Sequence, residues 1–187
     1  MDIVPYSPSL LPNLIRLINA HIELVPPNWT LSEAQIAFAV DHAVSLWDIH
    51  FSDEPKPSTK FATWCVIDGE HVIAALQTAS FYKYLDPPIT HIFWIAADPA
   101  RPDALDALLA HTYMRAASAG GSVLHVDLRC PFGVGWFRIP TIWTHIGDAL
   151  HRNGFEPREK WILMTGALIA GYRFPSLIFS ILTCAGI

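Results

Sequence analysis

Hydrophobic and polar residues follow two spacings along this chain, one of two residues and one of three to four, and these spacings predict strands and helices. The predicted strands are Ile3-Val4, Phe61–Ile67, His71–Phe81, Ile92–Ala97, Val123–Leu128 and Trp161–Met164. The predicted helices run from Ser7-Pro8 to Pro26-Pro27, from Leu31 to about Leu46, from about Asp103 to Ala119, and roughly from Thr141 to Asn153. This order, β-α-α-β-β-β-α-β-α-β, predicts an α/β fold of the α+β type, with a central mixed β-sheet and helices on both faces.

Local signals mark where several of these elements begin and end. Thr30-x-x-Glu33 has the form of a capping box, which would begin the second helix. Asp68-Gly69 is typical of tight hairpins and would join the second and third strands. Two apolar stripes are predicted to face the core: Leu105, Leu108, Leu109, Thr112 and Ala116 in the third helix, and Ile142, Ile146, Ala149 and Leu150 in the fourth.

Composition narrows the class of protein. The chain has 187 residues, of which 52% are hydrophobic and 16% charged, so it can bury one sizeable core and is not a disordered protein. The net charge of -5 argues against a nucleic-acid partner, which would need a basic face. Three widely spaced cysteines indicate a reducing compartment, and the N-terminus lacks a signal-peptide pattern, so we expect a cytoplasmic protein. The nine histidines show no ligand spacing, so no metal site is predicted.

The most informative stretch is the turn between the strand Ile92–Ala97 and the helix after it. Such a turn presents free backbone N–H groups to an anion, and it usually carries glycines that let a phosphate approach the backbone. Here the turn is Asp98-Pro99-Ala100-Arg101-Pro102-Asp103, which contains two acids and no glycine. Asp103 is also well placed to cap its own helix, and its carboxylate would then use N–H groups that a phosphate needs.

The order of elements resembles the GCN5-related N-acetyltransferase superfamily over about residues 1–165. Two stretches carry the resemblance: Trp94–Pro99 is similar to the family's cofactor strand and the Asp-Pro after it, and Asp148–Pro157 is similar to its last conserved helix with a Gly-Phe exit. The stretch from Asn19 to Trp29 resembles the N-terminal domain of a subgroup in which a second domain often follows.

The resemblance implies that acetyl-CoA lies where the fourth and fifth strands splay apart. Backbone groups of the fourth strand and amides of the following loop would hold it, with a loop Arg at the pyrophosphate. The residues that this assigns to cofactor binding are Trp94, Ile95, Ala96, Ala97, Arg101, Asp103 and Ala104. Two departures from the family stand out, because the loop has lost its glycines and Leu150 replaces the tyrosine that often protonates the departing thiolate.

Three residues are candidates for catalysis. His125 and Asp127 point to the same side of the predicted fifth strand, so the acid could orient the histidine as a general base. The alternative is that one face of the sheet is simply polar there. His91 opens the predicted cofactor strand, near where the resembled family often keeps a base. His145 and His151, on the last helix, are interpreted as surface residues.

Aromatic residues in the loops suggest a pocket for a small-molecule acceptor. Trp29, Tyr82, Trp136 and Phe137 fall in regions that surround the acceptor cleft in the resembled fold, and aromatic pockets suit apolar or cationic molecules. The alternative is that these side chains extend the core. We expect Trp143, at the start of the last helix, to pack in the core.

The chain ends in an apolar tail, residues 166–187, in which Arg173 is the only charged residue. The 14 residues from Phe174 onward are too few to span a bilayer, which needs about 20, so a membrane partner is not expected. The tail is predicted to be a last strand or a segment at a homodimer interface.

Two functional hypotheses follow. The first is an acyl-CoA-dependent N-acetyltransferase, in which the amine of a small molecule attacks the thioester directly. The second is a module that keeps the fold but has lost acetyl-CoA binding, and that serves binding or dimerisation. The loop 98–103 distinguishes them, because each missing hydrogen bond to a charged phosphate group would forfeit about 1.5–3 kcal/mol of binding.

Overall fold

Eight strands form one sheet in the computed structural model, which describes residues 1–24, 30–41, 59–81, 89–120, 123–126, 139–140, 142–163 and 177–184. The strands are β1 (Asp2–Pro5), β2 (Thr59–Asp68), β3 (His71–Phe81), β4 (Ile89–Ala97), β5 (Val123–Val126), β6 (Ile139–Pro140), β7 (Phe155–Leu163) and β8 (Leu177–Cys184). Their order is β1-β2-β3-β4-β5-β8-β6, and β7 also pairs with β8. The pair β4–β5 is parallel and the other pairs are antiparallel, so the predicted mixed sheet is confirmed.

Helices cover both faces of this sheet, as the sequence predicts. The helices are a 3-10 turn (Pro8–Leu10), α1 (Leu11–Ile22), α2 (Glu33–Asp41), α3 (Pro102–Ser118) and α4 (Thr144–Arg152). Buried residues of α1 and α2 form one core cluster with one face of the sheet, and those of α3 and α4 form a second cluster with the opposite face. None of the helices in these ranges has the length and apolar content that crossing a bilayer requires.

Periodicity predicts the buried face of α3 correctly and that of α4 in part. Leu105, Leu108, Leu109, Thr112 and Ala116 are all buried in α3. In α4, Ile146, Ala149 and Leu150 are buried, but Ile142 is 46% exposed. The expectation for Ile142 is wrong because α4 begins only at Thr144, so the helical spacing does not extend back to it.

The second helix begins two residues later than predicted, because a different capping box is used. The N–H of Ser32 donates to Gln35 Oε1 (2.9 Å), and the N–H of Gln35 donates to Ser32 Oγ (3.3 Å). Asn19 of α1 binds both the N–H and the C=O of Leu31, at 2.8 and 3.0 Å. This pair of bonds keeps Leu31 in the connection before the helix, so the predicted box at Thr30 is wrong. The predicted end near Leu46 lies outside the described residues.

A β-bulge in β4 is the feature that positions the functional site. Gln77 of β3 faces Trp94, but Thr78 faces Ile92, so Phe93 is an extra residue in β4. A bulge bends its strand and increases the local twist, and it often ends strand pairing. The described pairing of β4 with β5 stops at Ile92, directly before the bulge, while β4 continues to Ala97.

The apolar tail contributes a strand in the middle of this sheet. Residues 177–184 form β8, which pairs with β5 on one side and with β7 on the other. The Asp68-Gly69 hairpin is also present, and Gly69 adopts the positive φ of +61° that this turn favours.

Candidate functional site

Beyond the bulge, the last residue of β4 directs its backbone groups away from β3. Ala97 lies opposite Ala74, and the N–H of Asp98 donates to the C=O of Ile73 at 2.8 Å. That pattern identifies Ala97 and Ala74 as a non-hydrogen-bonded pair of the antiparallel ladder. The N–H and C=O of Ala97 therefore point to the other side of β4, and those of Ile95 follow the same alternation. These are backbone groups of the strand to which the resemblance assigns the cofactor's pantetheine arm.

Two histidines occupy the backbone groups of Ala97. His21, near the end of α1, is only 3% exposed, and its Nε2 accepts from the N–H of Ala97 at 3.3 Å. His145, in the first turn of α4, places its Nε2 3.1 Å from the C=O of Ala97 and 3.0 Å from His21 Nε2. The remaining ring nitrogen of His21, Nδ1, lies 2.9 Å from the C=O of Leu17. The two imidazoles thus bond to each other, and together they bind the N–H and the C=O of Ala97.

The hydrogen-bond partners assign a tautomer to each ring. A carbonyl oxygen can only accept, so His21 carries its proton on Nδ1 facing Leu17, and His145 carries its proton on Nε2 facing Ala97. His21 Nε2 is then an acceptor, shared between the N–H of Ala97 and the Nε2–H of His145. Burial lowers the pKa of both histidines below the ordinary value of 6.5, and the carboxylate of Asp98 opposes part of that shift.

Trp143 fixes the position of this pair. Its indole Nε1–H donates to the backbone C=O of His21 at 3.0 Å, and the two rings meet edge to face with centroids 5.3 Å apart. Trp143 is buried, as the sequence predicts. His145 is not the surface residue expected from the sequence, because the start of α4 turns its ring toward β4, whereas His151 is exposed as expected.

Arg101 is held by two carboxylates of the chain. It forms a short ion pair with Asp68 of the β2–β3 hairpin and a bidentate contact with Asp103, with both N–O distances 3.1 Å. The hydrogen bond from Arg101 is the main reason that the pKa of each carboxyl lies below its usual range. The amides of Asp103 and Ala104 add to this effect at Asp103. An acid of the chain therefore lies at the helix N-terminus, where the resemblance expects a phosphate.

The backbone of the loop also satisfies its own hydrogen bonds. The N–H of Ala100 donates to the Asp98 carboxylate at 2.9 Å, and the N–H of Arg101 donates to the C=O of Asp98 at 3.0 Å. The N–H of Ala104 donates to the C=O of Arg101 at 3.1 Å. In this conformation the N–H groups of Ala100, Arg101 and Ala104 and the backbone groups of Ala97 are therefore already bonded within the chain.

Two further histidines lie side by side before the bulge. His91 of β4 faces His125 of β5 in the parallel ladder, and their rings are nearly parallel with centroids 5.1 Å apart. Leu124 and Val126 are buried in the α3–α4 cluster, so His125 points to the opposite face, toward α1 and α2. The structure thus brings two of the three catalytic candidates together.

The other candidates lie in β4, in the turn after it and at the start of α3, or they fall outside the residues that the structure describes. Trp94, Ile95, Ala96, Ala97 and Ala104 are buried, and Arg101 and Asp103 lie at the surface of the loop. The candidates outside the described residues are Asp127, Trp29, Tyr82, Trp136 and Phe137. Within the described ranges, no three His, Cys, Asp or Glu side chains are grouped as metal ligands.

Sequence reasoning missed His21, although a signal was available. His21 follows Leu14 and Leu17 by seven and four residues, and this helical spacing places the histidine on the buried face of α1. Its partners come from β4 and α4, 76 and 124 residues away in the chain.

Comparison with known proteins gives a consistent result at the level of the fold. No protein-family model matches the sequence, and neither does any curated protein. Among solved structures, a phosphinothricin acetyltransferase of the GNAT superfamily from Sinorhizobium meliloti, in complex with acetyl-CoA, is similar with a TM-score of 0.64 and 11% identity. That match covers 99% of this chain and 88% of the other.

A ribosomal-protein-alanine N-acetyltransferase from Brucella melitensis is similar over 99% of both chains, with a TM-score of 0.59 and 11% identity. The agreement extends over nearly the whole chain and includes the mixed sheet with helices on both faces. The chain therefore has the fold of the GCN5-related N-acetyltransferase superfamily.

Proposed function

We propose that this protein is an acyl-CoA-dependent N-acetyltransferase that transfers an acetyl group to the amine of a small molecule. The observation that carries the proposal is the bulge at Phe93, after which β4 runs on to Ala97 beyond its last described pair with β5. The backbone of Trp94–Ala97 would align an extended thioester arm through hydrogen bonds that need no particular side chains. Acetyltransferases with the same fold, one of them with acetyl-CoA bound, support this assignment.

The stacked pair His91 and His125 supports a place for acid–base chemistry near the bulge. In the proposal, the acceptor amine attacks the thioester carbonyl directly and His125 or an ordered water takes the proton that the amine loses. The C–S bond then breaks, and coenzyme A leaves as its thiolate. The neighbouring ring of His91 restricts the orientation of His125, since the two rings stack across the β4–β5 ladder.

A second function, a non-catalytic binding or dimerisation module, is favoured by specific contacts. Arg101 already has two carboxylate partners, and the N–H and C=O of Ala97 are bonded to His21 and His145. A chain that had lost its acetyl donor would be free to fill these positions with its own groups.

Calorimetric titration with acetyl-CoA separates the two functions. The transferase proposal predicts saturable heat at sub-millimolar to millimolar donor, followed by thiol release when a panel of small primary amines is added. The absence of heat at millimolar acetyl-CoA would reject the transferase. Sedimentation of the same sample then tests the alternative, because a dimerisation module would show a concentration-dependent dimer.

His125→Ala tests the assigned base if binding is observed. We expect slower turnover with donor affinity unchanged, because the base acts on the amine and not on the donor. The matched control is His151→Ala, an exposed histidine on α4 that should leave both quantities unchanged. Unchanged turnover in the His125 variant would remove this residue from the mechanism.

A further inference from the structure

We propose that His21 and His145 form a histidine latch that closes the edge of β4, and that an acetyl donor can add to β4 only when these two side chains separate. The identity of the ligand, an acetyl donor, rests on the proposed function. The latch itself concerns contacts within the chain, and one arm of its test requires no ligand.

The latch lies between the two helical layers of the fold. α1 belongs to the core cluster on one face of the sheet, and α4 belongs to the cluster on the opposite face. Side chains of two such layers are normally kept apart by the strands between them. Here His21 Nε2 and His145 Nε2 are 3.0 Å apart, so they meet where β4 has passed its last described pair with β5. The latch therefore lies beside the strand edge itself.

The latch uses the same backbone atoms of Ala97 that a ligand would use. An extended chain or an amide-bearing arm adds to a strand edge by pairing with alternate N–H and C=O groups. At Ala97 these groups are bonded to His21 and His145, respectively. A donor amide at Ala97 must therefore replace both histidines, and the two occupants exclude each other.

Opening of the latch would also change the solvation of both histidine rings. The charged groups facing them are Asp98, next to Ala97, and Asp148 on α4, and each ring also faces the other. Despite these acids, burial lowers the pKa of both rings below the ordinary value, so the closed latch disfavours their protonated forms. If donor binding opens the latch and exposes the rings to water, the pKa of each imidazole rises toward its ordinary value. Donor binding is then accompanied by proton uptake near pH 6 and by none near pH 8.

The test is donor binding to the full-length protein and its His145→Ala variant. The alanine removes the donor to the C=O of Ala97, so acetyl-CoA should bind about tenfold more tightly, the equivalent of about one neutral hydrogen bond. His151→Ala is the matched control and should bind like the wild type. Equal or weaker binding by a folded His145→Ala protein would overturn the latch.

Proton uptake gives a signature that a purely structural contact would not produce. Titrations at pH 6.2 in phosphate and in Bis-Tris, which differ in ionisation enthalpy, should report net proton uptake by the wild type. The uptake should fall in His145→Ala and vanish at pH 8. Identical heats in the two buffers at pH 6.2 would contradict the proposal.

The ligand-free arm separates failure of the latch from failure of the proposed function. In the wild type, the imidazole nitrogens should show the Nδ1–H tautomer for His21 and the Nε2–H tautomer for His145. The amide of Ala97 should be protected from hydrogen exchange, and His21→Leu, which cannot accept its proton, should accelerate that exchange at least tenfold. If these results hold but neither the wild type nor His145→Ala binds acetyl-CoA, the closed contact is real and the transferase is rejected. The opposite tautomers, or unchanged exchange at Ala97 in folded His21→Leu, would reject the latch.

Discussion

We expect the buried bond between Gln77 and Trp94 to hold β4 in the register that creates the bulge. Gln77 is 1% exposed and its Oε1 accepts from the indole Nε1–H of Trp94 at 3.2 Å. Its Nε2 donates to Thr63 Oγ1 at 3.0 Å and to the C=O of Val40 at 3.3 Å. Trp94 is the first residue after the extra residue Phe93, so this bond ties β3 to β4 at the point where the register changes.

The perturbation is Gln77→Leu, which keeps a side chain of similar size. The main cost is the loss of Gln77 Oε1 as the acceptor of the Trp94 Nε1–H, in surroundings where Trp94 is 3% exposed. An unsatisfied buried donor costs about 1–3 kcal/mol. The lost hydrogen bond to the C=O of Val40 raises the expected decrease in the free energy of unfolding to about 2–4 kcal/mol. Thr63 is partly exposed and can bind water instead.

A double-mutant cycle with Trp94→Phe isolates this bond. Each single variant removes one partner of this bond and keeps the other, whereas the double variant Gln77→Leu/Trp94→Phe removes both. The double variant should therefore be at least about 1 kcal/mol more stable than the sum of the single changes predicts. Urea denaturation followed by far-ultraviolet circular dichroism measures all four free energies. Additive costs within about 0.5 kcal/mol would refute the reasoning, and so would a neutral Gln77→Leu variant.

Three further predictions address other parts of the molecule. The free energy of unfolding should fall as the pH drops below 6.5, because the fold lowers the pKa of His21 and His145 and the unfolded chain therefore binds more protons. Urea titrations between pH 5 and 8 measure this dependence, and a flat profile would contradict it. Ser32→Ala should destabilise the protein by about 1 kcal/mol while Thr30→Ala changes stability by less than about 0.5 kcal/mol; the reverse ranking in thermal denaturation would restore the capping box at Thr30. Leu108→Ala, at a fully buried position of α3, should cost about 2–5 kcal/mol in chemical denaturation, and a cost below about 1 kcal/mol would show that α3 packs elsewhere.

Most of the order of elements and most of the buried faces were predictable from the sequence, because they depend on neighbours within a few residues; the short strand β6 and the exposure of Ile142 were not. The α3 stripe from Leu105 to Ala116 is buried throughout, and Asp68-Gly69 turns the β2–β3 hairpin with the positive φ that glycine tolerates. The resemblance to the acetyltransferase superfamily, which depends on that order, led to the correct fold.

Details that depend on a distant partner were not predictable in the same way. Thr30-x-x-Glu33 and Ser32-x-x-Gln35 both fit the capping pattern, and the choice between them comes from Asn19, which binds Leu31 from another helix. The sequence showed that Arg101 lies between two acids, but it did not show that Asp68, 33 residues away, is one of its partners.

Local sequence patterns are enough to predict the parts of this protein: a mixed sheet, helices for both faces, and a loop at residues 98–103 with acids in place of glycines. Which side chains contact the end of β4 follows only from the three-dimensional packing. His21 and His145 are 124 residues apart in the chain, and they meet at Ala97, after the bulge at Phe93 and after the last described pair of β4 with β5. Periodicity along one element contains no information about such a contact. The contact is favourable because two helices from separate layers bury polar side chains, and these side chains bind each other and the backbone of Ala97.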